Sequence, residues 1–145
     1  MLLEAWRATG KTVPLRIAGR VRADFPSIAA EHNLELLGEV PDAALPALYT
    51  NAVAVIYPSE YEGFGLPVLE AMQCGANVIT SRDAALMELT GDAALHVSTV
   101  QELYAALRAN CETTARRSAA IARAAEYSWK LTAQRTHAIY EAVAR

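Results

Sequence analysis

The amino-acid sequence predicts an α/β fold: a parallel sheet of short strands with helices on its flanks. Three observations predict it. Short apolar, β-branched runs alternate with helical segments along the 145 residues, the pattern of strand–helix–strand units rather than of hairpins. The run from Ala52 to Tyr57 is apolar at nearly every position, as expected of a strand buried on both faces. That run enters a glycine-punctuated turn, Glu62-Gly63-Phe64-Gly65, and leaves it as a helix, Leu66 to Cys74, with Pro67 placed in the first turn where its missing N–H costs nothing.

The elements follow in order. Met1 to Thr9 reads as the end of a helix with Leu2, Leu3 and Trp6 on one face and Gly10 as its stop. Leu15 to Gly19 is a short strand; Ser27 to Glu31 reads as a helical turn led by Pro26, and Leu34 to Gly38 as the next strand. Asp42 can cap the following helix, in which Pro46 delays regular pairing. Asn77 to Ser81 and Ala94 to Val97 supply two more strands. Thr99 and Glu102 form a T-x-x-E capping box for a helix carrying Leu103 and Leu107. The chain from there on is helical, and Leu131, Arg135, Ala138, Ile139, Ala142 and Val143 follow an amphipathic spacing that Arg135 interrupts. Arg116, Arg117 and Arg123 read as a solvated helix face, diluted by Glu112 and Glu126, in preference to a membrane-binding patch.

Composition bounds the function. The length suits one domain with a real core, and 53% hydrophobic with 20% charged residues describes a folded globular chain. No stretch approaches the ~18 apolar residues of a membrane span, and the first residues lack the layout of a cleavable signal, so a cytoplasmic protein is expected, with a partner domain as its route to any membrane surface. A net charge of −3 argues against nucleic acid as partner. Cys74 and Cys111 are far apart and read as reduced packing residues; His32, His96 and His137 are ungrouped, so no metal site is expected.

Chemistry concentrates at the glycine turn. A strand that ends in such a turn and a helix N-terminus presents unpaired backbone N–H groups to an anion. Two carboxylates, Glu62 and Glu70, stand eight residues apart on either side of it. Acids beside an anion site suit a ligand that carries both phosphate and hydroxyls, because a carboxylate accepts strong hydrogen bonds from hydroxyls. A sugar nucleotide is such a ligand.

The segment Glu62-Gly63-Phe64-Gly65-Leu66-Pro67-Val68-Leu69-Glu70-Ala71-Met72-Gln73-Cys74-Gly75 resembles, without mismatch, the E-G-F-G-L-P-x-x-E-A-M-x-x-G pattern of family 4 (group 1) retaining glycosyltransferases of the GT-B fold. Met87-Glu88-Leu89-Thr90-Gly91-Asp92-Ala93-Ala94 is similar to the family's P-E-V-x-G-D-A-A segment, with Met87 in place of proline, and Tyr127-Ser128-Trp129 with Ile139-Tyr140 resembles its closing helix. The resemblance covers essentially the whole chain but only the C-terminal, donor-binding half of that architecture. It therefore implies that residues 1–145 are a partial nucleotide-sugar-binding domain with a Rossmann-like sheet lacking its usual first, central strand. That strand and the turn after it carry the Arg and Lys that contact the donor diphosphate. A sheet without it is expected to be gapped, re-paired or completed by another chain, and its exposed edges to invite self-association.

The resemblance also implies roles. Glu62 is the catalytic-centre acid, holding hydroxyls of the donor sugar near the anomeric carbon. Gly63, Phe64, Gly65 and Leu66 present backbone to sugar and distal phosphate, and Glu70 accepts from the ribose hydroxyls. Gly38, Val40 and Asp42 lie where the nucleobase is placed, and Asp42 can accept from a guanine edge as readily as it can cap a helix. Val68, Leu69, Met72 and Val78 are expected in the core, with Phe64 partly so. The substrate implied is a UDP-, GDP- or ADP-sugar, with no cofactor and no metal. The partner implied is an acceptor-binding N-terminal domain, on this chain or another, without which little or no transfer to an acceptor hydroxyl is expected. A non-catalytic binding module or split subunit completing a partner's site is the competing reading, and an epimerase of similar fold a third.

Overall fold

Among the described residues, 1–20, 28–109 and 114–144 of the computed structural model, five short parallel strands alternate with seven helices. They are α1 (Leu2–Ala8), β1 (Leu15–Ala18), β2 (Leu34–Gly38), α2 (Leu45–Asn51), β3 (Val55–Tyr57), α3 (Leu66–Gln73), β4 (Val78–Ser81), α4 (Ala84–Thr90), β5 (Leu95–Val97), α5 (Val100–Arg108), α6 (Thr114–Ala124) and α7 (Trp129–Val143). Pro26, Ser27, Cys111 and Glu112 lie outside the described residues.

The strands form two sheets. β1 pairs with β2, Leu15 opposite Leu34 and Ile17 opposite Leu36; β3, β4 and β5 form the other, in that order. All pairings are parallel, and no described strand joins β1 to β3, so the expected gap is present. Within the three-stranded sheet β4 is central and Val78, Ile79 and Thr80 are fully buried. β3 is its edge, which explains why Val55, Ile56 and Tyr57 are only half-buried and Val53 is exposed, against the expectation of a strand covered on both faces. Helices cover both faces of this sheet. Val68, Ala71, Met72, Leu86, Leu89 and Ala120 fill one side, whereas Ala5, Leu103 and Ala106 meet Ile79 and Val97 on the other. The expected core residues Val68, Leu69, Met72 and Val78 are thus in place.

Local chemistry sets the element ends. Thr99 Oγ1 accepts from Glu102 N at 3.1 Å and Glu102 Oε2 accepts from Ser98 N at 2.6 Å, so the capping box forms with its return bond one residue early. Ser128 caps α7. Residues 28–31 are not helical: the chain turns from Glu31 into β2, Leu34 N donating to Glu31 O, with Asn33 at φ 63°, a conformation its short amide tolerates. Asp42 opens a 3-10 turn, Asp42–Ala44, and makes no capping bond, because α2 begins only at Leu45. α7 forms, but none of its residues is buried; Ile139, Tyr140 and Val143 stand exposed.

The arginines of α6 are not a solvated face. Arg117 donates to Gly75 O at 2.7 Å and Thr50 O at 2.9 Å, and Arg123 to Glu88 O at 2.7 Å and Leu89 O at 3.0 Å. These acceptors lie at or just beyond the C-terminal ends of α3, α2 and α4, where carbonyls lack helical partners and the dipole favours a cation. α6 is thereby fastened beneath the signature helix.

Glu31 ties α1 to the β2 turn. It accepts from Arg7 Nε at 2.9 Å and pairs with Lys11 Nζ at 2.7 Å, and these cations hold its carboxyl at about 2. A carboxyl depressed on folding stabilises the fold above its unfolded pKa and ceases to do so as pH falls through the folded one. The unfolding midpoint is therefore expected to drop between pH 4.5 and about 2. Glu31→Gln should remove that component of the drop, which thermal melts across this window would measure.

Candidate functional site

The signature folds as β3, a loop, and α3. Gly65 is the N-cap of α3 at φ 93°, and its carbonyl accepts from Val68 N and Leu69 N at 2.9 and 3.2 Å. Two reasons make it glycine. The left-handed backbone disfavours a side chain, and a Cβ there would lie 2.5 Å from Leu86 Cδ2 of α4. Gly65 thus serves close packing of loop on α4. Gly63 differs: a Cβ there would meet open space, so no neighbour within the fold demands its small size. Among the described residues none accepts a hydrogen bond from the amides of Phe64, Gly65 or Leu66, as expected where a helix begins. Phe64 and Leu66 are exposed; the Phe64 ring sits edge-on to Tyr127 with centroids 5.8 Å apart.

Each acid has a tyrosine neighbour. Tyr57 Oη donates to Glu62 Oε1 at 2.9 Å, and Tyr49 Oη to Glu70 Oε2 at 3.4 Å. Burial, reinforced by these carboxylates, pushes both phenols up to about 12. Glu62 is held at its backbone as well, its N–H donating to Asp83 Oδ2 at 3.3 Å. The other oxygen of Asp83 caps α4, accepting from Ala85 N at 2.9 Å and Leu86 N at 3.1 Å. Asp83 therefore locks the loop to α4. It went unremarked in the sequence, although an Asp directly before the run Ala84-Ala85-Leu86 is a readable N-cap signal. Tyr49 and Tyr57 carried no such signal.

Glu70 and Asp42 come together. With Tyr49, Leu45 and Pro46 they line one cleft of about 300 Å³, between the 3-10 turn, α2 and α3. Because Asp42 caps nothing, its exposed carboxylate is available to that cleft. Glu62 is not among the residues lining it, nor are Gly38 and Val40. Gly38 lines a second, larger cleft of about 910 Å³ between the two sheets, with Ile17, Ala18, Pro58, Ser59 and Arg82. Among the described residues no cluster of His, Cys, Asp and Glu could hold a metal ion. His96 is half-buried and bonded to Thr90 Oγ1 at 2.8 Å, His137 pairs with Glu141, and Cys74 is a free, half-buried thiol. No helix of the described residues is long and apolar enough to cross a membrane.

A family model described as glycosyl transferases group 1 matches residues 1–126. The chain is 55% identical over 62 residues to the O-antigen chain mannosyltransferase B of Escherichia coli, covering 43% of this chain and 16% of that protein. It is 36% identical over 102 residues to a serotype-specific mannosyltransferase WbdA of the same species, covering 66% and 12%. With the MMP alpha-(1->4)-mannosyltransferase of Mycolicibacterium hassiacum it shares 39% identity over 120 residues, covering 72% and 28%. The matched segments are thus a minor part of each relative's length.

Proposed function

This chain belongs to the group 1 glycosyl transferases, and from that membership we propose that it is the donor-binding portion of a retaining transferase of the GT-B type, family 4. The donor is a nucleoside diphosphate hexose, and the names of the relatives favour mannose. The observation that carries the reading is the placing of Glu70 and Asp42 in one cleft, with Glu70 on the helix whose opening amides find no acceptor among the described residues.

In this reading the diphosphate lies against the amides of Phe64, Gly65 and Leu66, whose N–H groups and helix dipole favour negative charge. Glu70 accepts from the ribose hydroxyls. Asp42 accepts from the base, which favours guanine, because its adjacent N1–H and N2–H₂ offer a carboxylate two parallel donors. Glu62 holds hydroxyls of the sugar, at the reacting end. The same amides stabilise the leaving diphosphate, so charge developing there meets dipoles that are already oriented.

The open edges of β1 and β3 bear on partners. The cleft of about 910 Å³ between the two sheets is lined by Ile17 and Ala18 of β1 and by Pro58 and Ser59, which follow β3. We assign this space to a further parallel strand, from additional polypeptide or from a partner chain, bringing with it the acceptor-binding half. The same edges fit the second reading, a binding subunit that completes a partner's site.

Thermal-shift measurement against GDP, UDP and ADP tests the proposal. A ligand at 100 times its dissociation constant stabilises the native state by about 2.7 kcal/mol, so a clear rise in midpoint is expected with GDP, smaller with UDP and ADP. No rise with any nucleoside diphosphate would overturn donor binding. A larger rise with UDP would overturn the assignment of Asp42 to guanine.

A further inference from the structure

The two acids of the signature are each met by a phenol that precedes the signature, the pairs nested along the chain. Tyr57, the last residue of β3, donates to Glu62, and Tyr49, in the last turn of α2, donates to Glu70. The Tyr49–Tyr57 spacing, eight residues, repeats that of Glu62 and Glu70. Both rings are half-buried and pack on the core that also holds Val68 and Met72. The phenols stand on regular elements, whereas Glu62 stands on a loop and its side chain is free to adopt several rotamers without a partner.

We propose that Tyr57 and Tyr49 are positioning residues of the donor site: Tyr57 fixes the carboxylate of Glu62 for the sugar, and Tyr49 fixes that of Glu70 for the ribose. This rests on the roles given to the two glutamates above. A carboxylate has about four lone-pair sites. One hydroxyl occupies a single site on one oxygen, leaving Oε2 of Glu62 and Oε1 of Glu70 free of that bond and aimed by it. Orientation fixed before binding reduces the ordering cost that the ligand would otherwise meet. With ionisation pushed to about 12, each phenol remains a donor throughout the working pH range and never presents a second negative charge to the acid. The bonds are unequal. At 2.9 Å the Tyr57 contact lies within the ordinary O–H···O range, and at 3.4 Å the Tyr49 contact lies beyond it, so Tyr57 has the larger influence.

Calorimetric titration of the full chain with GDP and GDP-mannose tests this, using phenylalanine to remove each hydroxyl while keeping the ring. Tyr57→Phe is expected to bind GDP as the parent does and GDP-mannose about five- to tenfold more weakly. Tyr49→Phe is expected to weaken both ligands alike, by about two- to threefold. Because a positioning residue acts through its partner, Tyr57→Phe should cause no further loss in a Glu62→Ala background, nor Tyr49→Phe in Glu70→Ala. A loss that persists in those backgrounds would assign the tyrosines a structural or direct role and overturn the proposal. So would tyrosine variants that bind like the parent while Glu62→Ala and Glu70→Ala do not; the donor-site reading would then stand alone. If the glutamate variants themselves leave both affinities unchanged, or the parent binds neither ligand, the reading falls and the positioning role with it.

Discussion

Gly65→Ala is expected to destabilise the fold by about 2–5 kcal/mol, a large part of the ~5–15 kcal/mol that holds a domain of this kind together. Two costs add. Placing an L-residue at φ 93° costs roughly 1–2 kcal/mol. The new methyl would also lie 2.5 Å from Leu86 Cδ2 and 3.4 Å from Leu89 Cδ2. Both leucines are buried, Leu86 completely, so relief requires repacking at α4, and overpacking costs about 1–3 kcal/mol. Urea unfolding should show a lower midpoint with unchanged slope. Gly63→Ala is the control: its methyl enters open space and stability should hold. A Gly65→Ala protein as stable as the parent would contradict the packing described for this turn.

Much of the fold was legible because its signals are local. The strand Leu34–Gly38 has the bounds expected, and β1, β4 and β5 begin or end within a residue of theirs. The Thr99 cap and the Gly10 stop, at φ 78°, are likewise local chemistry. Where the reading failed, the deciding partner was distant in sequence. Arg117 and Arg123 looked solvated because their carbonyl acceptors lie 34 to 67 residues away. β3 looked fully buried because its composition is that of a central strand, yet it stands at a sheet edge. Residues 28–31 looked helical, but Asn33 turns the chain there and Glu31 is drawn to Arg7 and Lys11.

The site divides the same way. The linear run from Val55 to Glu70 was legible as a strand–turn–helix, and so it folds. That Gly65 is needed for α4, and Gly63 for nothing inside the fold, was not legible, since the neighbour is Leu86, 21 residues on. Asp42 had two readings from sequence, a helix cap and an acceptor for a base; it makes no capping bond and lines a cleft with Glu70. Asp83 and the two tyrosines emerged only from the geometry.

The division of labour between the two acids carries the second large effect. A carboxylate that accepts from ligand hydroxyls is worth about 1.5–3 kcal/mol, or roughly 10- to 150-fold in affinity. Glu70→Ala should therefore weaken GDP and GDP-mannose by similar factors of that size, because both carry the ribose. Glu62→Ala should leave GDP within about twofold of the parent while weakening GDP-mannose about tenfold or more, because only the conjugate carries the sugar. Neither side chain is buried in the core, so both variants should melt near the parent. The decisive measurement is thus the pair of dissociation constants for GDP and GDP-mannose in parent, Glu62→Ala and Glu70→Ala chains. Loss of both ligands in Glu70→Ala, with loss of the conjugate alone in Glu62→Ala, is the predicted result; equal losses in the two variants, or none in either, would contradict it.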